Sequence, residues 1–159
     1  YLESDLFNKG IRPAINIGVS VSRVGGAAQI KAMKKVAGTL RLDLAQYRAL
    51  AAFAQFSTDL DDVTKKQIDR GSRMLELLKQ GRYAPMSIEH QVVSIWTGTS
   101  GQLDDIAVSA VGKFEKEFLA CMDRSHQKVL EGIVKEKKVT PEIEKALESA
   151  VGDFKKSFV

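Results

Sequence analysis

From Ile30 onward, apolar side chains recur every three or four residues: Ile30, Met33, Val36, Ala37, Leu40, Leu44, Tyr47, Leu50, Ala51 and Ala54. That spacing lines them along one face of a helix. The pattern predicts a long helix from about Ala27, ending near Phe53–Phe56. Gly38 is its weak point and the expected place of a bend. The acidic loop Ser57-Thr58-Asp59-Leu60-Asp61-Asp62 follows. Ser57, Thr58 and Asp59 are candidate N-caps for a helix over 61–80, whose acidic first turn suits the helix dipole. Ile68, Met74, Leu75, Leu77 and Leu78 give that helix its core side, Gly81 is expected to close it, and Tyr83-Ala84-Pro85 forms a connector.

Ser87 then heads a short apolar helix through Ile88, Val92, Val93, Ile95 and Trp96, which Gly98–Gly101 is expected to break. Asp104-Asp105 opens a turn, and Ser109 is the candidate cap of a helix over 110–136, with Val111, Phe114, Phe118, Cys121, Met122, Val129 and Ile133 on its apolar side. Thr140-Pro141-Glu142 is a strong start signal, combining a capping hydroxyl, proline at the first helical position and an acid in the first turn. The last helix buries Ile143, Leu147, Ala150, Val151, Phe154 and Phe158. The aromatic side chains are read as core rather than as ligand-stacking platforms.

Before this helical region the period differs. Ile15-Asn16-Ile17-Gly18-Val19-Ser20-Val21 alternates as a strand does. Gly10-Ile11-Arg12-Pro13 reads as a turn into it. One strand cannot bury itself, so this piece is expected to belong to a sheet whose other strands lie upstream. The fold class is therefore mainly α. A C-terminal helical bundle over 27–159 is preceded by a strand and turn remnant of an α/β domain over 1–26.

Charge and composition narrow the function. The net charge is +4, with 13 Lys/Arg against 8 Asp/Glu in the first 80 residues and 11 against 12 in the rest. The basic excess near Arg23, Lys31, Lys34, Lys35 and Arg41 fits a solvated helix face or a phosphate neighbourhood. No long basic run, RNA-binding aromatic signature or zinc spacing supports a nucleic-acid partner. No apolar run reaches the roughly 20 residues that cross a bilayer. The start, Tyr1-Leu2-Glu3-Ser4-Asp5, lacks an initiator Met and the basic and apolar regions of a signal peptide, so the chain is expected to be a piece of something longer. Cys121 is expected to be a buried thiol.

The densest chemistry lies in Val19-Ser20-Val21-Ser22-Arg23-Val24-Gly25-Gly26-Ala27-Ala28. It reads as strand end, turn and helix start. Arg23 can offer a planar guanidinium fork to a phosphate or to a carboxylate. The residues leave both open: a phosphate contact, or an ordinary ion pair. Other catalytic sets are missing. There is no G-x-x-x-x-G-K-[ST] or G-x-G-x-x-G motif, and Gly112-Lys113-Phe114 lies within a predicted helix. His90 and His126 fall on different helices without metal-ligand neighbours, so no metal site is expected. Taken alone, the chain holds no complete active site.

Several stretches closely resemble the alpha subunits of rotary, proton-driven ATP synthases: Gly10-Ile11-Arg12-Pro13-Ala14-Ile15-Asn16, Ser20-Val21-Ser22-Arg23-Val24-Gly25-Gly26-Ala27-Ala28-Gln29, Leu44-Ala45-Gln46-Tyr47-Arg48, Ala51-Ala52-Phe53-Ala54-Gln55-Phe56 and Glu76-Leu77-Leu78-Lys79-Gln80. The resemblance covers essentially the whole chain. It implies the end of a nucleotide-binding domain plus the C-terminal helical domain, with the phosphate loop and magnesium ligands upstream. It implies that Arg23 is an arginine finger reaching in trans into the catalytic site of a neighbouring beta subunit, with Ser20 and Ser22 positioning it. It implies a non-catalytic ATP/ADP site whose adenine lies near Phe7, Arg12, Pro13, Gln80 and Arg82. Relatives commonly carry Gln at the position of Arg82.

The same resemblance implies an alternating hexamer with beta subunits and contact with a central gamma shaft, to which the loop 57–62 would turn. ATP synthesis would be coupled to proton transport. The complex would sit peripherally on the inner side of an energy-coupling membrane (bacterial plasma membrane, mitochondrial inner membrane or thylakoid), touching it only through the proton-conducting sector. The alternative is a non-enzymatic helical interaction domain in which Arg23 makes an interface ion pair.

Overall fold

The computed structural model describes residues 1–16, 20–54 and 60–158. Among the described residues it is mainly helical, with a single isolated antiparallel bridge between Leu2 and Ile15. The helices are α1 (Ser4–Asn8), α2 (Lys31–Ala37), α3 (Leu40–Ala54), α4 (Asp62–Leu77), α5 (Ile88–Thr99), α6 (Val111–Ser125), α7 (Gln127–Glu136) and α8 (Pro141–Ser157). The mainly α class holds. The strand expected over 15–21 does not appear in its described part: Ile15 pairs with Leu2, Val21 pairs with nothing, and 17–19 lie outside the described residues.

α5 is the hub. Val92, Val93, Ser94, Trp96, Thr97 and Gly98 are all buried, and α2, α4, α6 and α7 pack around it. A helix covered on most sides must satisfy its hydroxyls locally. Thr97 Oγ1 donates to the Val93 carbonyl at 2.8 Å, and Ser94 Oγ donates to Glu115 Oε1. Beyond the hub, α6 and α8 share an aromatic cluster. Phe114 meets Phe154 and Phe158 edge-on at 5.2 and 5.0 Å between ring centroids, geometry favoured by the ring quadrupoles. The predicted core face of α8 is correct, with Ile143, Leu147, Ala150 and Val151 buried and Phe154 and Phe158 packed against them. Thr140 caps α8 as expected, its Oγ1 accepting from the Ile143 N–H at 3.3 Å.

Several expectations are corrected. The long first helix is two helices, because Gly38 and Thr39 form a turn between α2 and α3. It starts at Lys31 rather than Ala27, since Gly25–Ala28 forms a 3-10 turn. The cap of α4 is Asp61, whose carboxylate accepts from the Thr64 N–H at 2.9 Å; the candidates Ser57, Thr58 and Asp59 lie outside the described residues. α4 ends at Leu77, four residues before Gly81. α5 runs through Gly98, because a residue without Cβ is what lets Met74 and Leu77 of α4 press against it. The helix over 110–136 divides at His126 (φ −129°, ψ 29°). Ser109 lies in a preceding 3-10 turn and caps nothing by its side chain. Cys121 is half-buried rather than buried.

Aromatic residues also divide. Trp96, Phe114 and Phe118 are core, whereas Phe53, Tyr83 and Phe7 are 60%, 86% and 52% exposed. The basic bias near Arg23 is partly structural, since Lys35 pairs with Glu144 at 2.6 Å and donates to the Val139 carbonyl at 3.3 Å. α2 is thereby tied to the connector between α7 and α8, where Ala32 N–H also donates to the Lys137 carbonyl.

Candidate functional site

Arg23 stands on an exposed turn. Ser22, Arg23 and Val24 are exposed and precede the 3-10 turn Gly25–Ala28. Ser22 Oγ accepts from the Gly25 N–H at 3.0 Å, which closes the chain around Arg23. Gly25 has φ +51°, a conformation that glycine adopts without steric cost. Among the described residues Arg23 has no hydrogen-bond or ion-pair partner. Its guanidinium is thus presented outward by a local turn. Ser20 takes another part: its N–H donates to the Asn16 carbonyl at 2.9 Å, which fixes the approach to the turn.

The second group forms on residues 1–16. Arg12 lays its guanidinium over the Phe7 ring, 4.2 Å from the centroid, a cation–π pair. The Gln80 N–H, just past the end of α4, donates to the Arg12 carbonyl at 2.8 Å. Arg12 and Pro13 are joined by a cis peptide. So Phe7, Arg12, Pro13 and Gln80 are brought together, although up to 73 residues separate them in sequence. Gln80 Nε2 donates to the Ala84 carbonyl at 2.7 Å, which turns the amide within its own loop. Arg82 is not brought into this group by any recorded bond. It lies over the Tyr83 ring at 4.9 Å and donates to its hydroxyl at 3.1 Å. Reading 83–85 as a plain connector passes over Tyr83; an aromatic beside an arginine in a Pro-containing loop is the signal that marks it.

A flat aromatic face, a guanidinium and an amide oxygen suit a planar, nitrogen-rich base, and the exposure of Phe7 and Gln80 leaves room for one. Magnesium is different. Among the described residues no three His, Cys, Asp or Glu side chains are placed to hold a metal ion. His90 binds the Asp123 carboxylate at 2.8 Å, a structural role in keeping with its sequence context. Among the described residues the one carboxyl pushed upward is Glu115, raised by burial and partly offset by the Ser94 hydroxyl. It sits on α6, among the residues lining a cavity of about 210 Å³ that also includes Gln80 and Ser94.

The family model described as "ATP synthase alpha/beta chain, C terminal domain" matches residues 29–154. The chain belongs to this ATP synthase family. The chain is 59% identical to an ATP synthase subunit alpha of Sulfurovum sp. over 99% of its own length and 31% of the relative's. The values are 58%, 99% and 29% for the subunit alpha of Mycolicibacterium smegmatis, and 59%, 100% and 32% for that of Aquifex aeolicus. The resemblance to alpha subunits drawn from the sequence is thus borne out, and the chain spans about a third of the length of these relatives. Within this ATP synthase family member the matched domain begins six residues after Arg23, so the exposed turn lies just ahead of the matched helical unit. No helix among the described residues is long and apolar enough to cross a membrane.

Proposed function

We propose that this chain is the C-terminal portion of an alpha subunit that lends Arg23 to a catalytic nucleotide site on a neighbouring beta subunit. The observation that carries the reading is the exposed guanidinium of Arg23 on a self-closed turn, without a hydrogen-bond or ion-pair partner among the described residues. A charged fork without a partner of its own suits a phosphate belonging to another chain. In phosphoryl transfer the negative charge spreads over several oxygens, and a rigid guanidinium in a water-poor interface stabilises it strongly. Ser22 holds the turn and Ser20 holds its approach. The ion-pair alternative would use the same outward guanidinium but needs a carboxylate, not a phosphate, on the neighbour.

Phe7, Arg12, Pro13 and Gln80 form the base-holding side of a second, non-catalytic ATP or ADP site in this reading. Magnesium and phosphate would be held by residues outside this chain. Arg82, turned onto Tyr83, acts at the edge of that site at most. The domain division at 26/27 belongs to the same reading, supported by the exposed run before α2. The assembly would be an alternating hexamer around a gamma shaft, making ATP on the inner side of an energy-coupling membrane. The shaft-facing role of 57–62 rests on the resemblance, and 57–59 lie outside the described residues.

The in-trans placement is tested by cross-linking. In the full-length subunit, with Cys121 and every other cysteine of the complex replaced by Ser, Arg23→Cys is assembled with its partners and treated with a short thiol-to-amine reagent. An inter-subunit product that MgATP suppresses is expected. A product confined to the same chain, or one indifferent to MgATP, contradicts the reading.

A further inference from the structure

The turn that carries Arg23 is moored at two ends. Downstream, α2 enters the core through Ala32 and Met33. Upstream, Asn16 gathers the chain. Its N–H donates to the Tyr1 carbonyl at 3.0 Å, its side-chain amide donates to Glu3 Oε1 at 2.7 Å, and its carbonyl accepts from Ser20. Among the described residues, the other hydrogen bonds from Ser20 to Gln29 are local or to Tyr1. Asn16 is held in turn by the helical bundle. Arg48 Nη1 on α3 donates to Asn16 Oδ1 at 3.2 Å, while Arg48 Nε donates to the Leu44 carbonyl at 3.2 Å. Leu44 is 1% exposed, so the helix turn that orients Arg48 is set in the core.

We propose that Arg48 is a positioning residue for Arg23. The two-pronged guanidinium of Arg48 transfers the rigidity of α3 to Asn16, and through the Ser20 N–H to the base of the turn. A guanidinium meets two acceptors in one plane, which a single ammonium cannot do. The inference rests on the reading of Arg23 as the residue that meets the neighbour's phosphate. Arg48 bonds Asn16 and the Leu44 carbonyl rather than Arg23, so its effect is expected on turnover rather than on substrate binding.

The test uses the full-length subunit in its assembled complex, with MgATP hydrolysis as the readout. Misplacing a reacting group by about 1 Å can cost about 100-fold, and a loosened mooring should cost less, about tenfold in kcat, for Arg48→Met. KM should stay within about twofold and assembly yield should be normal. Asn16→Ala should give a similar loss, and Arg48→Lys an intermediate one. Because both residues act through Arg23, Arg48→Met should add nothing in an Arg23→Lys background. Unchanged kcat in Arg48→Met, a multiplicative loss in that background, or failure of Arg48→Met to assemble while Asn16→Ala turns over normally would each overturn the proposal. Wild-type turnover in Arg23→Lys alone would remove the reading of Arg23 itself, whereas collapse there with an unaffected Arg48→Met removes only the mooring.

Discussion

Replacing Gly71 by alanine should destabilise this fold, whereas the same replacement at Gly112 should stabilise it. Both glycines lie inside helices, and mid-helix glycine is less favourable than alanine by about 0.5–1 kcal/mol. Gly112 is exposed on α6 and nothing lies within 4 Å of where its Cβ would stand. Gly112 is the second residue of α6, so about half of that gain is realised there. Gly71 is buried on α4, and its Cβ would collide with Cβ, Cγ and Cδ2 of Tyr47. Tyr47 Cβ is fixed to the backbone of α3, so no rotamer change clears it. Carbon atoms need about 3.5–4.0 Å, which forces α3 about 1 Å away from α4. Overpacking of this kind costs about 1–3 kcal/mol. Set against the propensity gain, the net loss at Gly71 is about 1 kcal/mol, within a range of about 0–2.5 kcal/mol. Urea unfolding of the 159-residue chain reads both. With a slope of about 2 kcal/mol per molar, Gly71→Ala should lower the midpoint by about 0.5 M and Gly112→Ala should raise it by about 0.1–0.25 M. A midpoint that rises for both would refute the close approach of α3 and α4.

Two further predictions concern single side chains. Thr140→Ala removes the cap of α8 and should cost about 1 kcal/mol, with Thr140→Asp restoring most of it in the same unfolding assay. Glu115→Gln should raise the melting temperature at neutral pH. Burial raises the folded-state pKa of Glu115, so its ionisation opposes folding; the penalty is absent below the ordinary glutamate pKa and grows as pH rises through the raised value. The advantage of Glu115→Gln should therefore vanish in acid, and a difference independent of pH would contradict the assignment.

Helical periodicity carried most of this fold. α4, α5 and α8 lie close to where the apolar spacing predicts them, and Thr140-Pro141 marks its start because cap, proline and acid all agree. The errors arise where a local signal competes with packing. Gly98 looks like a breaker, yet α4 needs a residue without Cβ there. His126 carries no breaking signal, yet its backbone (φ −129°, ψ 29°) divides α6 from α7. Ile15–Val21 has strand spacing, but among the described residues the one bridge it makes is Ile15 to Leu2. The site was legible unevenly. Arg23 stands out beside its Gly-Gly pair. The meeting of Arg12 with Gln80, and of Arg48 with Asn16, depends on tertiary folding over 68 and 32 residues of sequence separation, which no local pattern encodes.

The central claim is that Arg23 completes a phosphate site on a neighbouring subunit. Its most direct test is Arg23→Lys in the full-length subunit, reconstituted with its partners, with multisite MgATP hydrolysis and assembly measured on the same sample. Lysine keeps the charge but loses the fork. Removal of an arginine finger costs about 10³–10⁵ in turnover, so the account predicts that hydrolysis collapses by orders of magnitude while the complex still assembles and binds nucleotide. Assembled Arg23→Lys complex that hydrolyses MgATP at the wild-type rate would contradict it.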